Sequence, residues 1–210
     1  MTTFDSSKPD LSKLDWGKGD GLLPAIVQHW QNGSVLMLGY MNAEALAQTQ
    51  QSGKLTFYSR SKQRLWVKGE TSGHFLLLKS LRADCDNDTF LITAEPLGPT
   101  CHLGTQSCFG DASLPPLAFL ADLDALIAQR ERERPADSYT TKLFDDGVRR
   151  IAQKVGEEGV ETVLAAVAQD EAALRCESAD LIFHLLVLLR ARGIDFTDVV
   201  AELRQRHAAK

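Results

Sequence analysis

Residues 110–116 read Gly-Asp-Ala-Ser-Leu-Pro-Pro and divide the sequence into two parts with different apolar patterns. Glycine, proline, aspartate and serine concentrate in turns, because they supply or tolerate backbone conformations that helices and strands exclude. Before this stretch the apolar residues form short runs, and after it they recur with helical spacing. We therefore predict two domains, residues 1–112 and residues 113–210.

The first part has the pattern of a mainly β domain with one short helix. Asn42 is placed to cap the start of that helix, and Gly53 is placed to end it. Around it, short runs rich in branched and aromatic residues predict strands over 24–28, 34–38, 54–58, 64–67 and 74–78.

The second part has the pattern of an all-α bundle. Asp170 and Asp195 occupy N-cap positions before two of its helices. The helical spacing predicts helices over 117–134, 141–168, 171–192 and 197–207. The chain is therefore predicted to be an α+β protein, with a metal-binding β domain followed by a helical bundle.

Charge is distributed unevenly over the 210 residues, whose formal net charge is -5. Residues 1–110 carry ten Lys or Arg and ten Asp or Glu, whereas residues 111–210 carry 13 and 18. A broad nucleic-acid-binding surface would need clustered positive charge. We therefore expect no nucleic-acid partner.

No segment has the pattern of a signal peptide or a membrane span. Residues 1–8 lack a basic stretch followed by an apolar one, and the longest apolar run, 181–189, is too short to cross a bilayer. Without export, cysteines close to His and Asp are expected as metal ligands rather than disulfides. We therefore expect a cytoplasmic protein with no membrane partner.

Three aspartates alternate with other residues in the stretch Asp84-Cys85-Asp86-Asn87-Asp88. In an extended strand over 81–88, the three carboxylates share one face and Cys85 points to the other. Carboxylate oxygens suit Mg²⁺, and a cation makes such crowding of like charges tolerable. The pattern predicts a magnesium site, with a solvated turn as the alternative.

Cys85, Cys101 and Cys108 have the composition of a zinc site. Cys101 and Cys108 lie in a polar, glycine-rich loop rather than in an apolar segment. Cys176 lies in a helical pattern and is expected in the core. Three thiolates leave one coordination position open, as in catalytic zinc sites. His102 is either a fourth ligand or an acid/base group, and we favour the second role.

Acidic residues also cluster on two predicted helices of the second part. Their spacing of three and four residues places them on helix edges that can together hold Mg²⁺, although such faces are also often simply solvated. Bound Mg²⁺ often contacts phosphates, which suggests a nucleotide or polyphosphate substrate. The acidic residues are Glu157, Glu158, Glu161, Glu177 and Asp180, and the candidate phosphate partners are Lys154, Arg149 and Arg150.

These motifs carry a specific resemblance over both parts of the chain. Residues 15–110 resemble phosphoribosyl-AMP cyclohydrolase, through the segments 57–61, 64–73, 84–88 and 98–102. The second part resembles phosphoribosyl-ATP pyrophosphohydrolase, an all-α family, through its E-E-x-x-E and E-x-x-D elements. Together they resemble the bifunctional enzyme family of histidine biosynthesis.

The resemblance implies two hydrolyses that use nucleotide substrates. The C-terminal domain would hydrolyse phosphoribosyl-ATP to phosphoribosyl-AMP and pyrophosphate. In that reaction Glu158 would orient the attacking water. The N-terminal zinc domain would open the adenine ring at the N1–C6 bond, with His102 moving a proton. The cofactors implied are one Zn²⁺ per N-terminal domain, and Mg²⁺ at both carboxylate sites.

The resemblance also implies a homodimer whose zinc ligands come from two subunits. Trp66 is assigned to the core rather than to stacking on the base. The substrate contacts implied are Arg60, Ser61, Arg64, Lys68, Ser72 and Lys154.

Two other classes of function remain to be compared. A zinc nucleobase deaminase also acts at C6 of adenine, but its H-x-E and P-C-x-x-C elements are absent from the sequence. In a non-catalytic protein, zinc would be a structural staple and the helices a dimerisation module. That class predicts metal-dependent folding without turnover.

Overall fold

The computed structural model describes residues 13–110 and 116–208. Its contacts divide the chain into two compact units, one ending at Phe119 and the other starting at Leu120. The predicted boundary between residues 112 and 113 lies outside the described residues and stays a prediction. The first unit is strand-rich with a short helix and the second is helical, which confirms the α+β class.

Within residues 13–110, the first unit forms one helix and two sheets. The elements are β1 Leu23–His29, β2 Val35–Met41, α1 Ala43–Ser52, β3 Thr56–Ser59, β4 Arg64–Val67, β5 Leu76–Ala83 and β6 Phe90–Pro96. The larger sheet has the strand order β2-β1-β6-β5, and β3 pairs with β4 in a separate two-stranded sheet.

The centre of the larger sheet is a parallel pair between β1 and β6, flanked by antiparallel pairs. A parallel pair needs a long crossover, and the segment from β2 to β5 supplies it. Alternate residues of the pair, such as Val27 and Ile92, are fully buried on one face. Phe57 of β3 and Leu46 of α1 belong to the same core.

The strand β6 is absent from the sequence-based prediction, and its omission was wrong. Its burial alternates along its first five residues, with Phe90, Ile92 and Ala94 inside and Leu91 exposed. In the sequence the signal is different, a short apolar run with aromatic and branched residues at Phe90, Leu91 and Ile92, which is also typical of a strand. The five predicted strands all overlap observed strands.

The ends of α1 are confirmed as predicted. The Asn42 side chain accepts a hydrogen bond from the Ala45 N–H at 2.8 Å, which satisfies one free donor of the first turn. Gly53 ends the helix with φ 68°, a left-handed conformation that costs glycine least.

The second unit is made of helices throughout its described residues. The predicted helix over 141–168 is wrong in one respect, because the chain breaks at Gly147, where φ 83° and ψ 173° are not helical. The α5 N-cap is confirmed, since the Asp170 carboxylate accepts from the Ala173 N–H at 2.8 Å. The helices are α2 Ala118–Glu133, α3 Tyr139–Asp146, α4 Val148–Ala168, α5 Glu171–Ala191 and α6 Phe196–Ala208.

A separate core holds the helical unit together. It contains Ile127, Leu143, Ile151, Leu186 and Val187, contributed by α2, α3, α4 and α5. The most extensive contact in this unit is between α4 and α5, the two helices that carry the acidic residues. Within the described residues, no helix combines the length and apolarity needed to span a membrane.

Candidate functional sites

A pocket of about 550 Å³ lies in the first unit, between β4, the loop that follows it and the loop after β6. Five of the residues selected from the sequence line it: Lys68, Ser72, Cys101, His102 and Cys108. The pocket therefore joins the loop that carries Lys68 and Ser72 to the loop that carries Cys101, His102 and Cys108.

Cys101 and Cys108 are held in the pocket by backbone hydrogen bonds. The Cys101 N–H donates to the Thr105 carbonyl oxygen at 3.0 Å, and the Cys108 N–H donates to the Leu36 carbonyl oxygen of β2 at 2.8 Å. The Cys101 Sγ lies 3.9 Å from His102 Nδ1. The loop is thereby fixed to the sheet, with both thiols and the imidazole at one wall.

The two thiols differ in acidity. A hydrogen bond from the Leu103 backbone, followed by one from the Thr105 side chain, lowers the pKa of Cys101. Burial raises the pKa of Cys108, and the neighbouring Cys101 raises it further. Cys101 is therefore the thiol that ionises more readily, and the thiolate is the form that binds a metal.

Cys85 does not line this pocket, although the sequence grouped it with Cys101 and Cys108. It is exposed, in the turn that follows β5. Within the described residues of one chain, the three cysteines do not form a three-ligand cluster.

The prediction of an extended strand over 81–88 is wrong. β5 ends at Ala83, and the backbone then turns, with Asn87 at φ 61°. Asp84 Oδ1 accepts hydrogen bonds from the Asp88 and Thr89 N–H groups at 3.0 and 3.1 Å, so its side chain stabilises the turn. This turn, and not the alternation of a strand, brings ligand atoms of Asp84, Asp86 and Asp88 within 4.8 Å of one another.

Lys18 contacts this aspartate turn and was missed in the sequence. Its Nζ lies 2.6 Å from Asp86 Oδ2 and 3.0 Å from Asp88 Oδ2. These hydrogen bonds raise the pKa of Lys18 and lower that of Asp86. In the sequence, Lys18 lies 68 positions before Asp86 and 70 positions before Asp88, so no local pattern could have indicated these contacts.

The other predicted substrate contacts lie outside the main pocket. Arg60 stacks its guanidinium 3.9 Å above the ring of Tyr40, and Ser61 Oγ lies 3.4 Å from Ser59 Oγ. Arg64 Nη2 pairs with Glu70 Oε1 at 3.0 Å, which lowers the pKa of Glu70. A second pocket of about 190 Å³ is lined by Ser59, Lys62, Arg64, Trp66 and Glu70.

Two residues of the main pocket add to the sequence-based selection. His74, which was missed, lines it as His102 does. Trp66 packs on the core with its ring centroid 5.2 Å from that of Phe57, as predicted, and it also lines both pockets. The indole can therefore stabilise the fold and contact a ligand with different edges.

In the helical unit, three of the five predicted acidic ligands come together. Glu158 and Glu161 of α4 and Glu177 of α5 have ligand atoms within 4.8 Å of one another. Glu157 instead accepts hydrogen bonds from Gln153 at 2.7 Å and Lys154 at 3.0 Å. Asp180 is exposed and does not belong to this cluster.

Glu158 is the buried member of this acidic cluster and is 4% exposed. Its Oε1 lies 2.8 Å from Lys154 Nζ, a contact that lowers the pKa of Glu158. Glu161 is exposed, but partial loss of hydration beside the neighbouring side chains raises its pKa, and the charge of Glu158 adds to this rise. The cluster thus holds a lysine-paired carboxylate next to one that binds a proton more readily.

The remaining predicted residues of this unit differ in environment. Arg149 and Arg150 are both exposed, and Arg150 Nη1 lies 3.4 Å from Glu157 Oε1. Cys176 is exposed, so its placement in the core was wrong. A helical pattern alone does not fix which face a single small residue occupies.

Comparisons with known proteins identify both units. Residues 37–110 match the family model of phosphoribosyl-AMP cyclohydrolase, and residues 120–207 match that of phosphoribosyl-ATP pyrophosphohydrolase. Relatives called histidine biosynthesis bifunctional protein HisIE match nearly the whole chain. The one from Xanthomonas axonopodis pv. citri is 65% identical over 94% of this chain and 94% of its own length.

Two further relatives with the same description extend the match. The Xylella fastidiosa protein, from strain Temecula1, is 64% identical over 98% of this chain and 97% of its own length. The Escherichia coli K12 protein is 60% identical over 93% of this chain and 96% of its own length. The chain therefore belongs to the family of bifunctional histidine-biosynthesis hydrolases, which join a phosphoribosyl-AMP cyclohydrolase domain to a phosphoribosyl-ATP pyrophosphohydrolase domain.

Proposed function

We propose that the helical unit hydrolyses phosphoribosyl-ATP to phosphoribosyl-AMP and pyrophosphate at the cluster of Glu158, Glu161 and Glu177. The convergence of these carboxylates from two helices supports this assignment. Hard carboxylate oxygens fit Mg²⁺, which neutralises phosphate charge when bound. Glu157 and Asp180 complete the proposed ligand set by small side-chain movements.

Within that site, Glu158 orients the attacking water, and Lys154 is placed to bind the phosphates. The Lys154 ammonium already lies between Glu157 and Glu158, so it carries positive charge into the acidic region. A phosphate oxygen that approaches this lysine is fixed close to the carboxylate that positions water. Such placement is the main requirement of phosphoryl-group hydrolysis.

We propose that the first unit opens the adenine ring of phosphoribosyl-AMP. The pocket that holds Cys101, Cys108 and His102 supports this assignment. Soft thiolates fit Zn²⁺, which lowers the pKa of a bound water to about 7. Water adds to C6 of the ring, the N1–C6 bond breaks, and N1 takes up a proton that His102 is placed to supply.

Substrate contacts are proposed on both sides of Trp66. Lys68 and Ser72 line the main pocket, and Arg64 lines the second pocket, which shares Trp66 and Glu70 with the first. Arg60 and Ser61 lie in the turn between β3 and β4, and their flanking residues Ser59 and Lys62 line this second pocket. The aspartate turn over Asp84–Asp88 is proposed to hold Mg²⁺ for a substrate phosphate.

The third zinc ligand, Cys85, is proposed to come from a second copy of the chain. Cys85 is exposed and lies outside the pocket of its own chain, which supports a shared site in a homodimer. The sheet also has an uncovered apolar row, because Leu38, Ile26 and Leu91 are neighbours in register and the two leucines are exposed. Such a row is typical of a protein interface.

Mixing variants tests the shared zinc site. Cys85→Ser chains and Cys101→Ser chains should each be inactive in ring opening. After unfolding and refolding together, mixed dimers would contain one intact ligand set and should recover part of the activity. If the mixture stays as inactive as its parents while wild-type chain refolds normally, the ligands come from one subunit.

A cytoplasmic location is proposed as well. All four cysteines are free thiols, and three of them are assigned to metal binding. Free thiols close to one another persist in reducing compartments. Fractionation of cells that produce the chain would test this location.

The experiment that tests the two reactions uses phosphoribosyl-ATP with Mg²⁺ and Zn²⁺. It follows pyrophosphate release and the ultraviolet change of purine ring opening. Cys101→Ser should abolish ring opening and spare pyrophosphate release, while Glu158→Gln should remove pyrophosphate release and spare ring opening of added phosphoribosyl-AMP. Equal loss of both activities in either variant would contradict two separate sites, and folded wild-type chain without turnover would favour a structural zinc.

A further inference from the structure

His184 is a buried histidine beside the acidic cluster that the proposed mechanism does not use. It lies on α5 seven positions after Glu177, so both residues are on the same helix face. It is 4% exposed, like Glu158 across the α4–α5 contact. A buried imidazole needs partners for both ring nitrogens.

Both nitrogens of His184 have such partners. Nδ1 lies 2.8 Å from the Asp180 carbonyl oxygen, which can only accept, so Nδ1 carries a proton and donates it. Nε2 lies 3.0 Å from the hydroxyl of Tyr139 on α3. The ring of Phe183 packs edge-on against the imidazole, with centroids 5.2 Å apart. The ring is therefore fixed in both position and rotation.

The protonated edge of this ring faces Glu158. Nδ1 lies 3.7 Å from Glu158 Oε1, the same oxygen that contacts Lys154 at 2.8 Å. The distance to Nδ1 exceeds a hydrogen bond, but an N–H dipole acts strongly on a carboxylate where little water is present. Oε1 is thus held from two sides.

We infer that Tyr139 and His184 are positioning residues that hold the Glu158 carboxylate in the acidic cluster. Tyr139 fixes the rotation of the imidazole, and the imidazole limits the rotation of Glu158, so that one oxygen stays with Lys154 and the other remains for the metal and water. This inference rests on the proposed role of Glu158. The inference adds a residue of α3 to the site, whose three clustered carboxylates come from α4 and α5.

The test measures Mn²⁺ affinity and the kinetics of pyrophosphate release in the full chain. Affinity is measured in an Asp86→Asn background, so that the aspartate turn does not contribute. Tyr139→Phe and His184→Asn should each lower Mn²⁺ affinity or kcat about 10-fold or more, as removal of groups that orient metal ligands does. KM for phosphoribosyl-ATP at saturating metal should change little, because neither side chain is assigned to substrate binding.

His207→Asn is the matched control. His207 Nδ1 lies 2.9 Å from the Leu203 carbonyl oxygen four positions earlier, the same bond that His184 makes, but on the exposed helix α6. This variant should keep wild-type Mn²⁺ affinity and kcat. Ring opening of phosphoribosyl-AMP, measured in the variants that keep Asp86, checks that the first unit is intact.

Wild-type Mn²⁺ affinity and kcat in both folded variants would overturn the inference. If His184→Asn fails to fold, Tyr139→Phe decides alone, since it removes a single hydroxyl. Glu158→Gln separates the two proposals. Full pyrophosphate release by that variant would reject both the role of Glu158 and the inference. If Glu158→Gln is inactive but Tyr139→Phe and His184→Asn are fully active, only the inference is rejected.

Discussion

The ring of His74 occupies the space where a side chain on Gly98 would begin. A Cβ built on Gly98 would lie 2.6 Å from His74 Cδ2 and 2.9 Å from Cγ, far inside van der Waals contact. His74 lines the main pocket, and Gly98 starts the loop that leads to Cys101. The glycine thus allows two walls of the pocket to approach each other.

We expect Gly98→Ala to lower kcat for ring opening by about 10-fold or more, because catalysis is sensitive to ångström-scale displacement. Pyrophosphate release should stay unchanged. The control is a double-mutant cycle with His74→Ala, which removes the ring that alanine would meet but leaves the strain of alanine at φ 154°, so that only part of the loss should be recovered. If Gly98→Ala is as damaging in the His74→Ala background as alone, the clash is not the cause.

A second close approach joins Gly39 of β2 to Phe57 in the core. A Cβ on Gly39 would lie 2.4 Å from Phe57 Cδ1, and Phe57 is fully buried, so the ring has little room to move. Gly39→Ala should destabilise the first unit by about 1–3 kcal/mol, the usual cost of overpacking.

Tryptophan fluorescence during urea unfolding measures this effect in one unit alone. The three tryptophans, Trp16, Trp30 and Trp66, all precede the helical unit. If Gly39→Ala has the same urea midpoint as wild type, the sheet shifts to make room for the added methyl group without a loss of stability.

Gly156 gives the opposite expectation for the helical unit. It lies inside α4, and a Cβ there meets nothing within 4 Å. Alanine is favoured over glycine in a helix interior by about 1 kcal/mol. Gly156→Ala should therefore raise the thermal midpoint of the helical unit, measured by far-ultraviolet circular dichroism, and leave the tryptophan transition in place. A lower midpoint would show that this surface is covered by a partner.

Metal binding by the helical unit should depend on pH through Glu161. Partial loss of hydration and the charge of Glu158 raise its pKa, so Glu161 takes up a proton above the ordinary carboxyl value of about 4.3. Since a metal ligand must be deprotonated, falling pH should weaken Mn²⁺ binding before ordinary carboxylates titrate.

Calorimetric titrations of Mn²⁺ at several pH values, in the Asp86→Asn background, measure this dependence. Binding should also release protons, in an amount that grows as pH falls towards the pKa of Glu161. In Glu161→Gln the affinity should be lower and its pH dependence weaker. A wild-type affinity that stays constant until ordinary carboxylates titrate would contradict the raised pKa.

The sequence predicted features that depend on neighbours along the chain. The α1 helix begins after Asn42 and ends before Gly53 because capping bonds join residues only a few positions apart. The strand β6 also has a local signal, the short apolar run that starts at Phe90, although it is not among the predicted strands. The break at Gly147 was harder to predict, because helical spacing continues across it and an isolated glycine is tolerated in helices.

The candidate sites were only partly predictable. Motif residues such as Cys101 and Glu158 were selected from local patterns, whereas several of the contacts around the candidate sites come from distant segments. Lys18 reaches the aspartate turn across 68 positions to Asp86, and Tyr139 reaches His184 across 45. No periodicity connects such residues, so they emerge only when the chain is folded.

The sequence by itself determined the α+β class and the chemical types of ligand, because apolar period and residue type are local properties. Only the tertiary structure decided which ligands meet. It placed Cys101 with Cys108 and left Cys85 outside, and it gathered the aspartates through a turn instead of a strand. The physical reason is that side-chain convergence depends on long-range packing and on backbone hydrogen bonds, which the local sequence does not specify.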